Sequence, residues 1–129
     1  MSLDVMIHGR ADYNIGYSHF FFFRKMVVKN IYGHDLYKIY TKLDQWTDKD
    51  IEIWNSKCDD DLDIFLTHSD CSGQFSVAEC KKVRDAMKKY SKKIDALDDE
   101  DNRYMKEQYK IWFLMFSYCV RHRVIMRFC

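Results

Sequence analysis

The sequence predicts a single α+β domain that is mostly helical, with about four to five helices packed against a short β-ribbon formed by the N- and C-terminal strands. The middle of the chain has helical periodicity. The N-terminus has alternating apolar residues, and the C-terminus is rich in β-branched and aromatic residues, and both patterns are typical of strands. The 129 residues are 47% hydrophobic and include no proline. That length suits one core, and nothing resembles a linker, so we assign residues 1–129 to one globular domain.

The two ends of the chain carry the strand signals. Leu3, Val5 and Ile7 alternate with Asp4, Met6 and His8 in front of a glycine, which is the period of a short strand. Residues 123–129 form a similar run at the C-terminus. The two strands could pair, and because an isolated ribbon is only marginally stable, the helices would have to back it.

The first half of the interior predicts three helices. Ser18 can cap a helix over residues 19–32, with Gly33 as its C-terminal stop. A shorter helix follows over residues 36–43, and Thr47 opens another. The phenylalanines of the first helix point several ways, which indicates a central position.

The second half predicts two longer helices. Ser76 and Glu79 form a capping box, in which each side chain satisfies a backbone donor of the other residue. The amphipathic helix behind it is followed by an acidic turn and by a last helix with an apolar stripe from Met105 to Val120. Because Leu114 and its neighbour are also apolar, we expect this last helix to be enclosed on more than one side.

Charge and composition exclude some classes of partner. The 21 basic and 20 acidic residues give a net charge of +1, so no global field attracts nucleic acid, and a nucleic-acid partner is not expected. No apolar run reaches the roughly 18 residues of a membrane span, and no basic, apolar signal peptide opens the chain. We therefore expect a cytoplasmic protein without membrane contact, in which the five cysteines are reduced.

The most pointed local feature is residues 68–79, which are laid out like a calcium-binding EF-hand loop. Gly73 falls at the sharp turn, but His68 stands where the loop expects an aspartate. One interpretation is weak calcium binding, and the other is a structural turn that ends in the cap formed by Ser76 and Glu79. The candidate ligands are His68, Asp70, Ser72, Gln74 and Glu79.

Two further chemistries are open at the same loop. Cys58, His68, Cys71 and Cys80 are zinc-type ligands, although the spacing lacks a close cysteine pair. The neighbouring His68 and Cys71 could pair as base and nucleophile, but no cysteine-protease signature surrounds them. No catalytic residue is assigned, and an enzyme is less favoured than a binding protein.

The stretch Ile64-Phe-Leu-Thr-His-Ser-Asp-Cys-Ser-Gly73 resembles a set of uncharacterised small proteins from phages, prophages and bacteria. In that set an apolar turn leads into a Ser-Asp-Cys-x-Gly motif, followed by a helix, an acidic turn, an aromatic-rich helix and a terminal strand. The resemblance covers the chain from about Leu62 onward. It implies an accessory phage or prophage protein in the host cytoplasm, and it implies no catalytic residues.

Two functional hypotheses follow. The first is a non-enzymatic phage-type accessory protein that binds a host protein or a second copy of itself, with Tyr13, Tyr17 and Trp46 as exposed aromatic contacts. The second is a small-ligand or metal-binding domain that uses the calcium-like loop at residues 68–79. Neither requires a cofactor, but weak calcium or zinc binding stays open.

Overall fold

A computed structural model describes all residues from Met1 to Cys129. It contains six α-helices and four strands, together with two short 3-10 turns at Leu43–Gln45 and Glu100–Asn102. None of the helices combines the length and the apolar character that a membrane crossing requires. The elements in chain order are β1 (Ser2–Ile7), β2 (Arg10–Gly16), α1 (Tyr17–Tyr32), α2 (His34–Tyr40), α3 (Asp48–Lys57), α4 (Asp63–Leu66), β3 (Gln74–Phe75), α5 (Val77–Asp95), α6 (Arg103–His122) and β4 (Met126–Phe128).

The α+β class and its mostly helical content are confirmed, and so is the pairing of the two terminal strands. β1 and β4 are antiparallel, with Val5 opposite Phe128. The sheet is larger than the predicted ribbon, because β2 and β3 extend it to four antiparallel strands in the order β2-β1-β4-β3. Leu3, Val5 and Ile7 all point inward, as their alternation predicts.

Strand β2 was not predicted. It forms a hairpin with β1 through the two residues His8 and Gly9, whose φ angles are +57° and +75°. Two consecutive positive φ angles are typical of the tight hairpin turn that matches the twist of the strands. Glycine tolerates this conformation readily, whereas histidine is held there at some cost.

Helix α1 is central, as predicted, but its start differs from the prediction. The helix begins at Tyr17 behind Gly16, without a side-chain cap, so the prediction of a cap at Ser18 is wrong. The preceding strand positions the start, because β2 runs directly into the helix. The predicted stop is confirmed, since Gly33 has a φ of +101° and its amide donates to the carbonyl of Lys29.

The two long helices begin and pack largely as predicted. Ser76 Oγ accepts from the Glu79 amide at 3.1 Å, and Glu79 Oε1 accepts from the Ser76 amide at 2.9 Å, which confirms the capping box. The predicted stripe of α6 is buried against α5 and α1. Leu114, which the sequence predicts to be covered, is 56% exposed, so one side of α6 is open to solvent.

The core is one cluster in which aromatic rings meet at the centre. Phe65 of α4 lies 5.1 Å from Trp112 and 5.5 Å from Phe116 between ring centroids. It also contacts Phe20 of α1 at 5.8 Å. Edge-to-face and tilted pairs of this kind add stability beyond the buried area. The single-turn helix α4 therefore places the following loop firmly on the core.

Candidate functional site

Residues 68–79 adopt the geometry of a tight structural turn. His68 Nδ1 lies 2.9 Å from the carbonyl oxygen of Ser69, and Nε2 lies 3.3 Å from that of Gln74. The ring is stacked on Phe75 at 4.1 Å between centroids. Both ring nitrogens thus face backbone oxygens, and one of these oxygens belongs to Gln74, which the sequence predicts as a candidate calcium ligand. Gly73 has a φ of +91°, which is the conformation expected for its turn position.

The other proposed ligands of this loop are divided between the turn and the helix cap. Ser69 Oγ accepts from the amide of Cys71 at 3.2 Å and lies 3.4 Å from Ser72 Oγ. The Glu79 carboxylate bonds the Ser76 amide as a cap. A cation in this loop would have to compete with these hydrogen bonds. Calcium binding stays a prediction that only an added cation can test.

The three cysteines among the candidate zinc ligands lie on different elements of the fold. Cys58 is buried at the end of α3, and Cys80 is buried in α5, whereas Cys71 is exposed in the turn. No group of three or more His, Cys, Asp or Glu side chains is placed to hold a metal ion. The four candidate zinc ligands are therefore not brought together in this conformation.

A buried arginine holds the start of the same loop. Arg24 of α1 is 3% exposed, and its Nη1 donates to the carbonyl oxygens of Phe65, Leu66 and His68 at 3.1, 3.0 and 2.8 Å. Its guanidinium carbon lies 4.3 Å from the centroid of the Phe20 ring. These carbonyls end helix α4, where a cation is electrostatically favoured. Arg24 therefore ties the loop to the central helix.

Beside Arg24 the surface opens into a cleft of about 460 Å³. Three elements form it: the first two turns of α1, the 3-10 turn at Leu43–Gln45 and the loop that follows α4. Most residues that line this Arg24 cleft are polar or charged, but most of its exposed lining surface is apolar, and aromatic side chains lie on the α1 wall. It is lined by Tyr17, Ser18, Phe21, Arg24, Leu43, Asp44, Thr67, His68, Ser69 and Asp70.

A second surface feature is an exposed apolar face, here called the hairpin–helix face, formed by His8, Leu114, Tyr118, His122 and Ile125. Tyr118 is 39% exposed and Ile125 is 40% exposed. His8 Nε2 lies 3.0 Å from Tyr118 Oη, and the Tyr118 ring lies 4.2 Å from that of His122. One shallow cleft joins Leu114 to Tyr118, and another joins His8 to Ile125, so the face is continuous.

The three aromatic residues proposed as exposed contacts are half-buried and pack against the core. Tyr13 donates to Gln108 and meets the Trp112 ring edge-on at 5.9 Å. Trp46 Nε1 donates to the carbonyl of Ile39 at 2.7 Å. Tyr17 lines the Arg24 cleft. These rings are therefore only partly exposed, because a small domain uses large side chains to complete its core. Their role as binding contacts stays a prediction.

One further polar cluster stabilises the fold. Asp60 Oδ1 accepts from Tyr32 Oη at 2.7 Å and from the Leu62 amide at 3.1 Å, and Oδ2 accepts from Tyr90 Oη. Burial raises the pKa of Cys58, which lies beside this cluster, to about 12. Such a thiol is protonated at neutral pH and is a poor nucleophile or metal ligand. The hydrogen bonds of Asp60 with Tyr32 and Tyr90 link α1 and α5 to the loop before α4.

The key residues of both surface features were missed in the sequence. Arg24 follows Phe20 by four positions and therefore lies on the same, core-facing side of α1. That spacing was the available signal for a buried arginine. Leu114 and Tyr118 have the same spacing on α6, but only the packing shows which side of the helix is left uncovered.

Comparison of the chain with protein-family models, with curated proteins and with solved structures finds no match in any of the three. The resemblance to small phage and prophage proteins stays a prediction, and the functional argument depends on the two surface features described above.

Proposed function

We propose that this protein is a non-enzymatic accessory protein that binds another protein through the hairpin–helix face. The observation that carries the proposal is that the exposed Leu114, Tyr118 and Ile125 line two shallow clefts, which the contact between His8 and Tyr118 links. Exposed apolar side chains that adjoin one another on a surface commonly mark interaction sites, whereas scattered ones do not. Tyrosine is also enriched among the residues that dominate binding energy.

Charge around the face indicates the chemistry of the partner. Of the residues that line its two clefts, Arg10 and Arg127 are basic, whereas Asp12 is acidic and pairs with Arg10 at 3.4 Å. The exposed Lys110 and Arg121 lie one turn before Leu114 and one turn after Tyr118 on α6. The excess charge is positive. A partner with an apolar centre and an acidic rim complements this face.

The same charges favour a different protein over a second copy of the chain. In a symmetric dimer built on this face, the basic residues of one copy would oppose those of the other, because a two-fold interface is self-matching. Like charges across an interface are costly. The resemblance to small phage and prophage proteins supports a partner from the bacterial host, and the proposed site of action is the host cytoplasm.

Site-specific photo-crosslinking in bacterial cells tests the proposal. The full chain is expressed with a photoreactive amino acid at Leu114 and, as a matched control, at Ile51, which is 43% exposed on α3. We expect a discrete adduct at position 114 that is absent at position 51 and whose yield falls in the Arg10→Glu, Arg121→Glu variant. The mass of the adduct identifies its composition.

Two outcomes would overturn the proposal. Equal adduct patterns at positions 114 and 51 would show that the hairpin–helix face has no special role. An adduct with the mass of two copies of the chain would show that the face forms a homodimer and does not bind a different protein. Thermal unfolding of each variant in parallel shows whether a lost adduct reflects a lost fold.

A further inference from the structure

The charge of Arg24 is not in direct contact with a carboxylate in the fold. The residue belongs to none of the ion pairs of the chain, and all three of its hydrogen bonds come from Nη1. Its Nε is buried without a partner. Nη2 also has no partner within the chain but, in contrast to Nε, is not sealed from solvent. Arg24 itself lines the Arg24 cleft, and Nη2 is the free donor of its guanidinium group that is open to solvent.

Burial of such a charge is unfavourable. Burial lowers the pKa of Arg24, and the nearby Asp70 offsets only part of this effect. A buried cation is normally matched by an anion and by further hydrogen bonds. A carboxylate placed in the cleft could supply both, because guanidinium and carboxylate groups match in charge and in geometry.

Two acidic residues also line the cleft. Asp44 of the 3-10 turn and Asp70 of the loop both line it, and neither belongs to an ion pair. A purely anionic ligand would meet these two carboxylates as well as Arg24. A ligand that also carries an ammonium group would pair with both signs. Tyr17 and Phe21 provide aromatic wall for an apolar substituent.

We propose that the Arg24 cleft binds a small zwitterionic molecule of the amino-acid type, with its carboxylate on Arg24, its ammonium group toward Asp44 and Asp70, and an aromatic side chain against Tyr17 and Phe21. The cleft volume of about 460 Å³ lies within the range of small-molecule sites. The site shares no residue with the hairpin–helix face, so it is independent of the proposed protein-binding function.

Three probes share the same ring but differ in their charged groups. Their affinities therefore separate the contribution of the ligand's carboxylate from that of its ammonium group. Isothermal titration of the purified full chain compares phenylalanine with 3-phenylpropionate, which lacks the amine, and with phenethylamine, which lacks the carboxylate. We expect phenylalanine to bind at least about tenfold more tightly than either analogue, because each analogue loses a charge-assisted hydrogen bond. No binding of phenylalanine at millimolar concentration would overturn the proposal.

Two variants locate the site. Asp70→Asn removes one charge at a half-buried position, and it is expected to weaken phenylalanine about tenfold while leaving 3-phenylpropionate unchanged or tighter. Arg24→Lys keeps the cation but loses the fork that binds a carboxylate, and thermal unfolding shows whether it folds. Equal binding of phenylalanine to wild type and Asp70→Asn would overturn the assignment of the ammonium group. Equal affinity for all three probes would mean that the cleft binds only their ring, as a hydrophobic pocket does. That result would also overturn the proposal.

Discussion

Two buried tyrosines, Tyr40 and Tyr109, and the half-buried Tyr32 make the fold sensitive to alkaline pH. Burial raises the pKa of Tyr32, Tyr40 and Tyr109 well above the usual range. Each hydroxyl donates to an oxygen: Tyr40 to the Leu66 carbonyl at 2.6 Å, and Tyr109 to the Met87 carbonyl at 2.7 Å. Tyr32 donates to the Asp60 carboxylate. A phenolate at any of these positions would lose its hydrogen bond and face an electronegative atom.

The sign and size of the effect follow from linkage between protonation and folding. In the unfolded chain these tyrosines ionise near their ordinary pKa of about 10, whereas in the folded chain they stay protonated at higher pH. Their contribution to stability is thus fully present below about pH 10 and is lost as the pH rises toward the raised folded pKa values. Each group contributes a slope of about 1.4 kcal/mol per pH unit, so three give about 4 kcal/mol per unit.

That slope is large relative to the total stability of a small domain, which is about 5–15 kcal/mol. We therefore expect cooperative unfolding within about one to three pH units above pH 10. Urea unfolding at a series of pH values, followed by tryptophan fluorescence, gives the slope. Tyrosinate absorbance measured in parallel shows whether the three tyrosine hydroxyls ionise together with unfolding.

The matched control is Tyr109→Phe, which removes one titrating group and its hydrogen bond to the Met87 carbonyl. We expect about 1 kcal/mol lower stability at neutral pH. Above pH 10 the slope should be about 1.4 kcal/mol per pH unit shallower than in wild type. Identical slopes in the two proteins would refute the reasoning, as would ionisation of the three tyrosines in a fully folded chain.

Four other substitutions, and the addition of calcium or zinc, have expected outcomes that thermal or urea unfolding can check. Phe65→Ala should cost about 3–5 kcal/mol, because the ring is buried at the centre of the aromatic core; a loss below about 1 kcal/mol would contradict that packing. Gly73→Ala should destabilise by about 1–3 kcal/mol, since φ is +91° and the new Cβ would lie 3.2 Å from the His68 ring. Asp60→Asn should cost about 1–3 kcal/mol, because an amide oxygen cannot replace both carboxylate acceptors of the tyrosine hydroxyls. Ser76→Ala should cost about 1 kcal/mol through the lost cap. Calcium or zinc added after EDTA treatment should leave the melting temperature unchanged, and a rise abolished by Glu79→Ala would instead make residues 68–79 a metal site.

Much of the helical framework could be predicted from local patterns. The capping box at Ser76 and the stop at Gly33 are formed by neighbouring residues, so the sequence shows them directly. The stripe of α6 and the alternation in β1 are likewise local. Strand β2 was missed because its first half is exposed and carries Arg10 and Asp12, so it lacks a clear apolar alternation.

The candidate sites were harder to predict because they combine distant segments. Arg24 meets the carbonyls of Phe65, Leu66 and His68 across more than forty positions of sequence. The loop at residues 68–79 has a calcium-like order of residues, yet the backbone oxygens that contact His68 set its geometry. A sequence motif specifies the order of potential ligands along the chain. It does not specify which groups these residues contact in the folded protein.

The sequence by itself determined the α+β class, the pairing of the terminal strands, the start of α5 and the stop of α1, because periodicity and caps are local properties of the chain. Only the tertiary structure decided that Arg24 is buried without direct contact to a carboxylate and that Leu114 and Tyr118 are left uncovered. The physical reason is that burial depends on which elements pack together. An arginine in an apolar run and a leucine on a helix can each lie in the core or at the surface, and packing between distant segments selects between them.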